Sequence, residues 1–286
     1  MGFKLFRREP TRQELYLRLQ RGLNIDRDYQ QWIDLWERYG PVENGPGPRL
    51  SISIVVTGDE RATDEAYWNG LGKTHPGCQV ILSPGSVPMR DILPAALQAA
   101  EAEHLIFLRA ADRLGGIAPF RLSAALAAAP EADLIFGDED QIDARGRRFA
   151  PWFKPDYGDD LFLCQNGFGR AVVFRKAALR RITAPETGDL DAAVYTMALR
   201  LIPGSRRDPL HCPGILVHVG GDPAATPKPR VVYLSGAERR AAVEDFVARR
   251  PSLAGAAVEG PDGHGNLRLR HPLPASPPLV SIVIPT

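Results

Sequence analysis

Three consecutive carboxylates, Asp138, Glu139 and Asp140, follow a short apolar run, Leu134-Ile135-Phe136, that reads as a buried strand ended by Gly137. Carboxylates just past the end of a buried strand stand where open α/β sheets hold ligands, in the crevice at the strand carboxyl ends. Downstream come a glycine turn, Ala144-Arg145-Gly146-Arg147, and an aromatic, basic and proline-containing segment, Trp152-Phe153-Lys154-Pro155-Asp156-Tyr157. Neither helical nor strand periodicity accounts for that composition, so residues 130–166 read as a site. Two structural readings stand beside it. Asp138 or Asp140 would cap backbone N–H groups in the turn, and Lys154 would pair with Asp156. His211 and Cys212 with His218 have loose metal-ligand character, but their spacing is no zinc signature.

The elements that must position these residues alternate along the chain. Short β-branched or apolar runs predict strands at Leu50–Thr57, Cys78–Leu82, His104–Leu108, Leu134–Phe136, Ala171–Phe174 and Gly214–Val219. Between them, periodicity predicts helices at Ala62–Leu71, Asp91–Ala102, Pro119–Ala129, Lys176–Arg181 and Leu190–Leu201. Strands alternating with helices predict an α/β fold, a mainly parallel sheet with helices on both faces. Residues 11–39 carry two apolar stripes, Leu15, Leu19 and Leu23, then Tyr29, Trp32, Ile33 and Trp36, read as a helical extension that packs on the next domain. The run Pro41–Pro48 ends that extension. Asp222–Arg230 is proline-rich and reads as a mobile stretch. Gly236–Arg250 predicts a helix, Leu267–Arg270 a short strand and Pro272–Pro278 a linker.

The last residues, Val280-Ser281-Ile282-Val283-Ile284, repeat the pattern of Ile52-Ser53-Ile54-Val55-Val56. This predicts that residues 279–286 form the first strand of a second, similar domain of a longer protein. The other reading adds that strand to this domain's own sheet. Net charge is +1, which gives no field for nucleic acid or an anionic membrane. Three cysteines, Cys78, Cys164 and Cys212, form no CxxC pair and suggest a reducing compartment, hence a cytoplasmic location. No apolar run approaches the ~20 residues of a spanning helix. The basic start with Phe3, Leu5 and Phe6 leaves peripheral contact at an inner membrane as an alternative to a disordered start.

Several segments together resemble the family-2 glycosyltransferases, in particular the bacterial kind that makes surface polysaccharides such as O-antigen, often with two transferase domains in tandem. The resemblance rests on Leu50–Thr57 as first strand, Ala132–Asp143 with Gly146-Arg147, Phe153–Tyr157, Leu161–Asn166, and Leu267–Pro274 leading into Pro277–Thr286. It covers residues 29 to 286 and implies a GT-A fold, a Rossmann-like sheet that binds a nucleotide sugar. The implied division is an extension over 1–48, a GT-A-like domain over 49–235, a helix–strand linker over 236–278 and a second domain beginning at 279. It also implies a glycan or lipid-linked acceptor, and a divalent metal, Mn²⁺ or Mg²⁺, held by carboxylates.

The sequence departs from the family at its acidic stations. Ser83 and Pro84 stand where the pattern has two aspartates before Gly-Ser. Arg109 and Ala111 replace the metal-site aspartates, and only Asp112 remains. A cation in a metal site is repelled by the ion. Arg109 could instead bind a diphosphate. The proton-accepting acid falls on Val194 and Thr196 in one alignment and on Asp191 in the other. On the resemblance, the expected residues are Asp191 as base, Asp112 and His218 at the metal, and Asp138, Asp140, Lys154, Asp156, Asn166 and Arg109 toward substrate. His218 lacks its usual aromatic and arginine neighbours, Val219 and Gly220 standing there. The expectation that follows is a degenerate transferase domain serving as scaffold or binding domain. Its rivals are a metal-independent transferase with Arg109 as diphosphate clamp, and a carbohydrate-binding module.

Overall fold

The computed structural model describes residues 29–34, 50–58, 65–75, 77–85, 87–221 and 236–283 of the chain. The stripes of residues 11–28 and 35–39, the Pro41–Pro48 break and the proline-rich Asp222–Arg230 lie outside the described residues. An eight-stranded sheet organises the rest, in the order β2-β1-β3-β7-β5-β8-β4, with β6 paired to β5. The strands are β1 (Ile52–Gly58), β2 (Cys78–Pro84), β3 (His104–Arg109), β4 (Arg113–Leu114), β5 (Leu134–Ile142), β6 (Arg148–Trp152), β7 (Val172–Arg175) and β8 (Leu210–Gly220). β1, β2, β3, β5 and β8 share one direction, and β4, β6 and β7 oppose it. The sheet is thus mainly parallel, as the alternation of strands and helices predicts.

Each face of the sheet carries its own apolar cluster, because strand residues alternate sides. On β1, Ile52, Ile54 and Val56 join one cluster and Val55 joins the other. Helices α1 (Glu65–Thr74) and α3 (Ala118–Ala128) cover the first face through Trp68, Leu71, Ala118 and Leu122. Helices α2 (Met89–Ala99), α6 (Leu190–Leu201) and α7 (Gly236–Arg249) cover the second. Two short helices, α4 (Asp159–Cys164) and α5 (Lys176–Leu179), complete the set used below. Strand β1 is buried on both sides, as expected of a central parallel strand. Its buried Ser53 donates to Gln79 and accepts from the Ala102 N–H.

Helix α6 is apolar nearly all round because it is sandwiched between the sheet and α7. Asp189 caps it, accepting from the Ala192 N–H at 2.9 Å. Within the stretch expected as a helix–strand linker, residues 236–278, the part up to Leu269 packs on this domain and residues 271–278 are exposed. Ala242, Val243 and Phe246 of α7, with Leu253, Val258 and Leu267 beyond it, belong to the second-face core. The hairpin of β9 (Ala257–Glu259) and β10 (Arg268–Arg270) is tied to the end of α4, with Leu267 N–H donating to the Cys164 carbonyl and Gln165 to Asn266. Residues 279–283 form no strand and are exposed, so the described part of the terminal run adds nothing to this sheet. Among the described residues, no helix is long and apolar enough to cross a membrane.

Candidate functional site

Strand β5 runs to Ile142, so Asp138, Glu139 and Asp140 lie inside it rather than in a turn beyond Gly137. This corrects the expected placement. β5 continues because β8 runs beside it in parallel as far as the Ile142–Gly220 pair. The turn that follows is held by Asp143, whose Oδ1 accepts from the Arg145 and Arg147 N–H groups at 2.9 Å each. On the facing strand β6 the register slips by one residue between Phe149 and Trp152, a bulge in which Ala150 takes a φ of 46°.

All three carboxylates of β5 are buried, and each is engaged by the surrounding protein. A carboxylate buried without partners would be costly, so such partners are what the burial requires. Asp138 accepts from the Lys154 N–H at 2.8 Å and the Gly214 N–H at 2.8 Å, and meets His211 Nε2 at 3.1 Å. Glu139 Oε2 accepts from the Arg170 and Ala171 N–H groups at 2.8 and 3.2 Å and from Lys154 Nζ at 3.3 Å. Asp140 accepts from the Tyr29 hydroxyl and from Arg148 Nε at 2.6 Å, and meets His218 Nδ1 at 2.6 Å. Burial, together with the Asp140 charge, raises the Tyr29 phenol above its ordinary range. Tyr29 sits in a helical stretch, 29–34, whose Trp32 packs edge-on against Phe153 at 4.9 Å. That stretch of the N-terminal segment therefore docks on the acidic strand.

Lys154 does not pair with Asp156. Its Nζ is buried and donates to the Gly137 carbonyl at 2.7 Å and the Phe168 carbonyl at 2.6 Å, besides Glu139, and it lies over the Trp152 ring. Just past the end of β6 the chain turns Lys154 inward and leaves the Asp156 side chain 94% exposed, where it meets His211 Nδ1 at 3.2 Å. Asn166 is buried too. Its Oδ1 accepts from the Phe168 and Gly169 N–H groups, which shapes the loop rather than facing solvent. Gly169 has φ +61° and lies against Glu139: a Cβ there would come within 2.5 Å of Oε2. Only glycine lets this loop deliver the Arg170 and Ala171 N–H groups to Glu139.

The carboxyl edge of the sheet holds a second constellation, centred on a residue that the sequence reading leaves out. Arg170 is buried. Its Nε and Nη2 grip Asp191 at 2.6 and 3.1 Å, and its Nη1 reaches Asp112 at 2.8 Å. Burial pulls the Arg170 guanidinium down, but the charges of Asp112 and Asp191 outweigh it and leave it above its ordinary value. For Asp191 burial pushes the carboxyl up. The Arg170 charge and hydrogen bonds, with Arg109 behind them, overcome this and hold it below the usual carboxylate range. Arg109 Nη2 donates to Asp191 at 3.1 Å and to the cap Asp189 at 3.2 Å, while its side chain stays 41% exposed. Arg170 reaches this edge because β7 runs antiparallel to β3. Continuing the pairing of His104 with Arg175 sets Arg109 opposite Arg170. Its sequence signal is a lone arginine after Gly167-Phe168-Gly169 at the head of a strand, and it points to the site only once β7 is known to be antiparallel.

The expected metal residues do not fit a divalent ion. Asp112 Oδ1 accepts from Arg170 and from the Gly220 N–H at 3.0 Å, and its Oδ2 accepts from the Arg109 N–H at 2.8 Å. His218 Nδ1 is committed to Asp140. Among the described residues no group of three His, Cys, Asp or Glu side chains is arranged to hold a metal ion. At an effective dielectric of about 20, a divalent ion about 4 Å from a guanidinium is repelled by roughly 8 kcal/mol. As expected proton acceptor, Asp191 is gripped by two guanidiniums, and a carboxylate held in its charged form is a weak base.

No family model matches the chain. The uncharacterized protein y4gI of Sinorhizobium fredii is 29% identical over 266 residues, covering 86% of this chain and 29% of its own length. The O-antigen biosynthesis protein RfbC of Myxococcus xanthus is 30% identical over 189 residues, covering 65% of this chain and 14% of its own length. The chain thus spans less than a third of the length of these curated relatives. The crystal structure of S. aureus TarS 1-349 aligns with a TM-score of 0.41 at 13% identity, covering 72% of this chain and 73% of that one. The chain is therefore an α/β domain similar in sequence to a protein of O-antigen biosynthesis, in line with its resemblance to the family-2 glycosyltransferases.

Proposed function

We propose that the chain is the N-terminal, glycosyltransferase-like domain of a nucleotide-sugar-dependent transferase for bacterial surface polysaccharide, and that this domain is a scaffold or binding domain without transferase activity of its own. The similarity to RfbC supports the polysaccharide context. One observation carries the loss of activity: Asp112 and Asp191, the carboxylates left for metal and for proton transfer, are both held by Arg170. Sugar transfer from a nucleotide donor needs the leaving diphosphate neutralised and the acceptor hydroxyl deprotonated. A buried two-bond fork holds Asp191 back from the second task, and a single buried bond holds Asp112 back from the first.

The test is release of nucleoside diphosphate from a panel of UDP- and GDP-sugars, with Mn²⁺ and acceptor glycans present. No release above background is expected, and metal-dependent turnover would overturn the reading. The exposed guanidinium of Arg109 favours one rival, a metal-independent transferase that clamps the diphosphate with it. That rival requires turnover in EDTA that Arg109→Ala abolishes.

A further inference from the structure

The resemblance implies a divalent cation at this edge of the sheet, and the residues present do not fit one. We infer that Arg170 is itself the cation of the site, a fixed guanidinium that joins Asp112 to Asp191 and excludes divalent metal from the chain. The inference rests on the proposed loss of activity only in its location. Turnover of a nucleotide sugar without metal would end that proposal and leave this one standing.

Three features support it. The first is saturation. All three Arg170 side-chain nitrogens are used, two in a fork on Asp191 and one on Asp112. The backbone N–H groups of Arg109 and Gly220 take up further acceptor positions on Asp112, and Glu139 accepts from Arg170, Ala171 and Lys154. The second is charge balance. The carboxylates Asp112, Glu139, Asp189 and Asp191 face the cations Arg109, Lys154 and Arg170, so a divalent ion entering without displacing one of these would turn a slightly negative cluster into a net positive one. The third is permanence. A lysine can lose its proton when buried, but a guanidinium keeps its charge, and its planar fork matches a carboxylate in two bonds at once. With its side chain 9% exposed, Arg170 cannot swing into solvent without opening the loop that Gly169 sets against Glu139.

Arg109 plays a different part. It touches Asp191 from the solvent side and leaves Asp112's side of the pair to Arg170. Removing Arg109 therefore keeps the internal cation, whereas removing the Arg170 charge takes away the one side chain that joins Asp112 to Asp191.

The experiment is Mn²⁺ titration of the full chain followed by electron paramagnetic resonance of the free ion, with thermal melts in parallel. Wild type, Arg109→Ala and Arg170→Gln are compared, glutamine being chosen to keep hydrogen-bond donors and much of the volume. Wild type and Arg109→Ala are expected to leave the free-ion signal unchanged into the millimolar range. Arg170→Gln is expected to take up Mn²⁺ at least about tenfold more tightly than wild type, with a matching rise in its melting temperature. Mn²⁺ binding by wild type, a gain of binding in Arg109→Ala, or a folded Arg170→Gln that binds no better than wild type would each overturn the inference. Should Arg170→Gln fail to fold, the wild-type and Arg109→Ala titrations still decide it.

Discussion

At the scale of single residues, the carboxylates that look catalytic in the sequence each meet a specific donor. Asp191 shows this most clearly. Its carboxyl is held below the usual range, so the stability it contributes is complete above about pH 4 and is lost as pH falls through the folded-state value. Without the Arg170 charge, burial would dominate and push that carboxyl up. The folded state would then bind the proton more tightly than the unfolded one, and stability would fall as pH rises above about 4. Arg170→Gln is therefore expected to cost about 3–5 kcal/mol near neutral pH and clearly less at pH 4, as read from urea unfolding of both proteins. A penalty that did not change with pH would contradict the pairing. The acid run Asp138-Glu139-Asp140 was legible as a cluster, but its partners were not. Lys154, Arg170, His211 and His218 lie far from it along the chain and reach it only through strand pairing and one glycine-dependent loop.

At the scale of elements, the alternation of strands and helices was readable because it depends on local periodicity. The ends of elements were not, since they depend on neighbours. β5 runs six residues beyond Phe136 because β8 lies alongside it, and this moves the acids from a turn into the sheet. The direction of β7 was equally hidden, and with it the position of Arg170. Helix α7 was legible in the sequence, but its packing was not, because it depends on a neighbour distant along the chain: its apolar face, Ala242, Val243 and Phe246, packs on α6 as part of the core. Phe246 is buried, so Phe246→Ala is expected to destabilise the whole domain by about 3–5 kcal/mol in a single cooperative transition. An unchanged urea midpoint would mean that residues 236–249 are a separate linker after all.

At the scale of the molecule, the sheet has the mainly parallel α/β architecture that the sequence predicts, and its carboxyl edge is built around arginines. Arg109 stands at the end of β3, Arg170 at the head of β7 and Asp191 in the first turn of α6, and the ion pairs among them tie those elements together. Such a network fixes the relative positions of the three elements at the cost of the open coordination that a metal-dependent transferase needs. Calorimetric titration of the chain with UDP- and GDP-sugars, with and without Mn²⁺, bears on this directly. No heat of binding is expected with either nucleotide class, and Mn²⁺ is expected to change nothing. Micromolar, Mn²⁺-dependent binding of a nucleotide sugar would show that the carboxyl edge is an intact donor site, and would contradict the reading of this domain as a transferase fold without its chemistry.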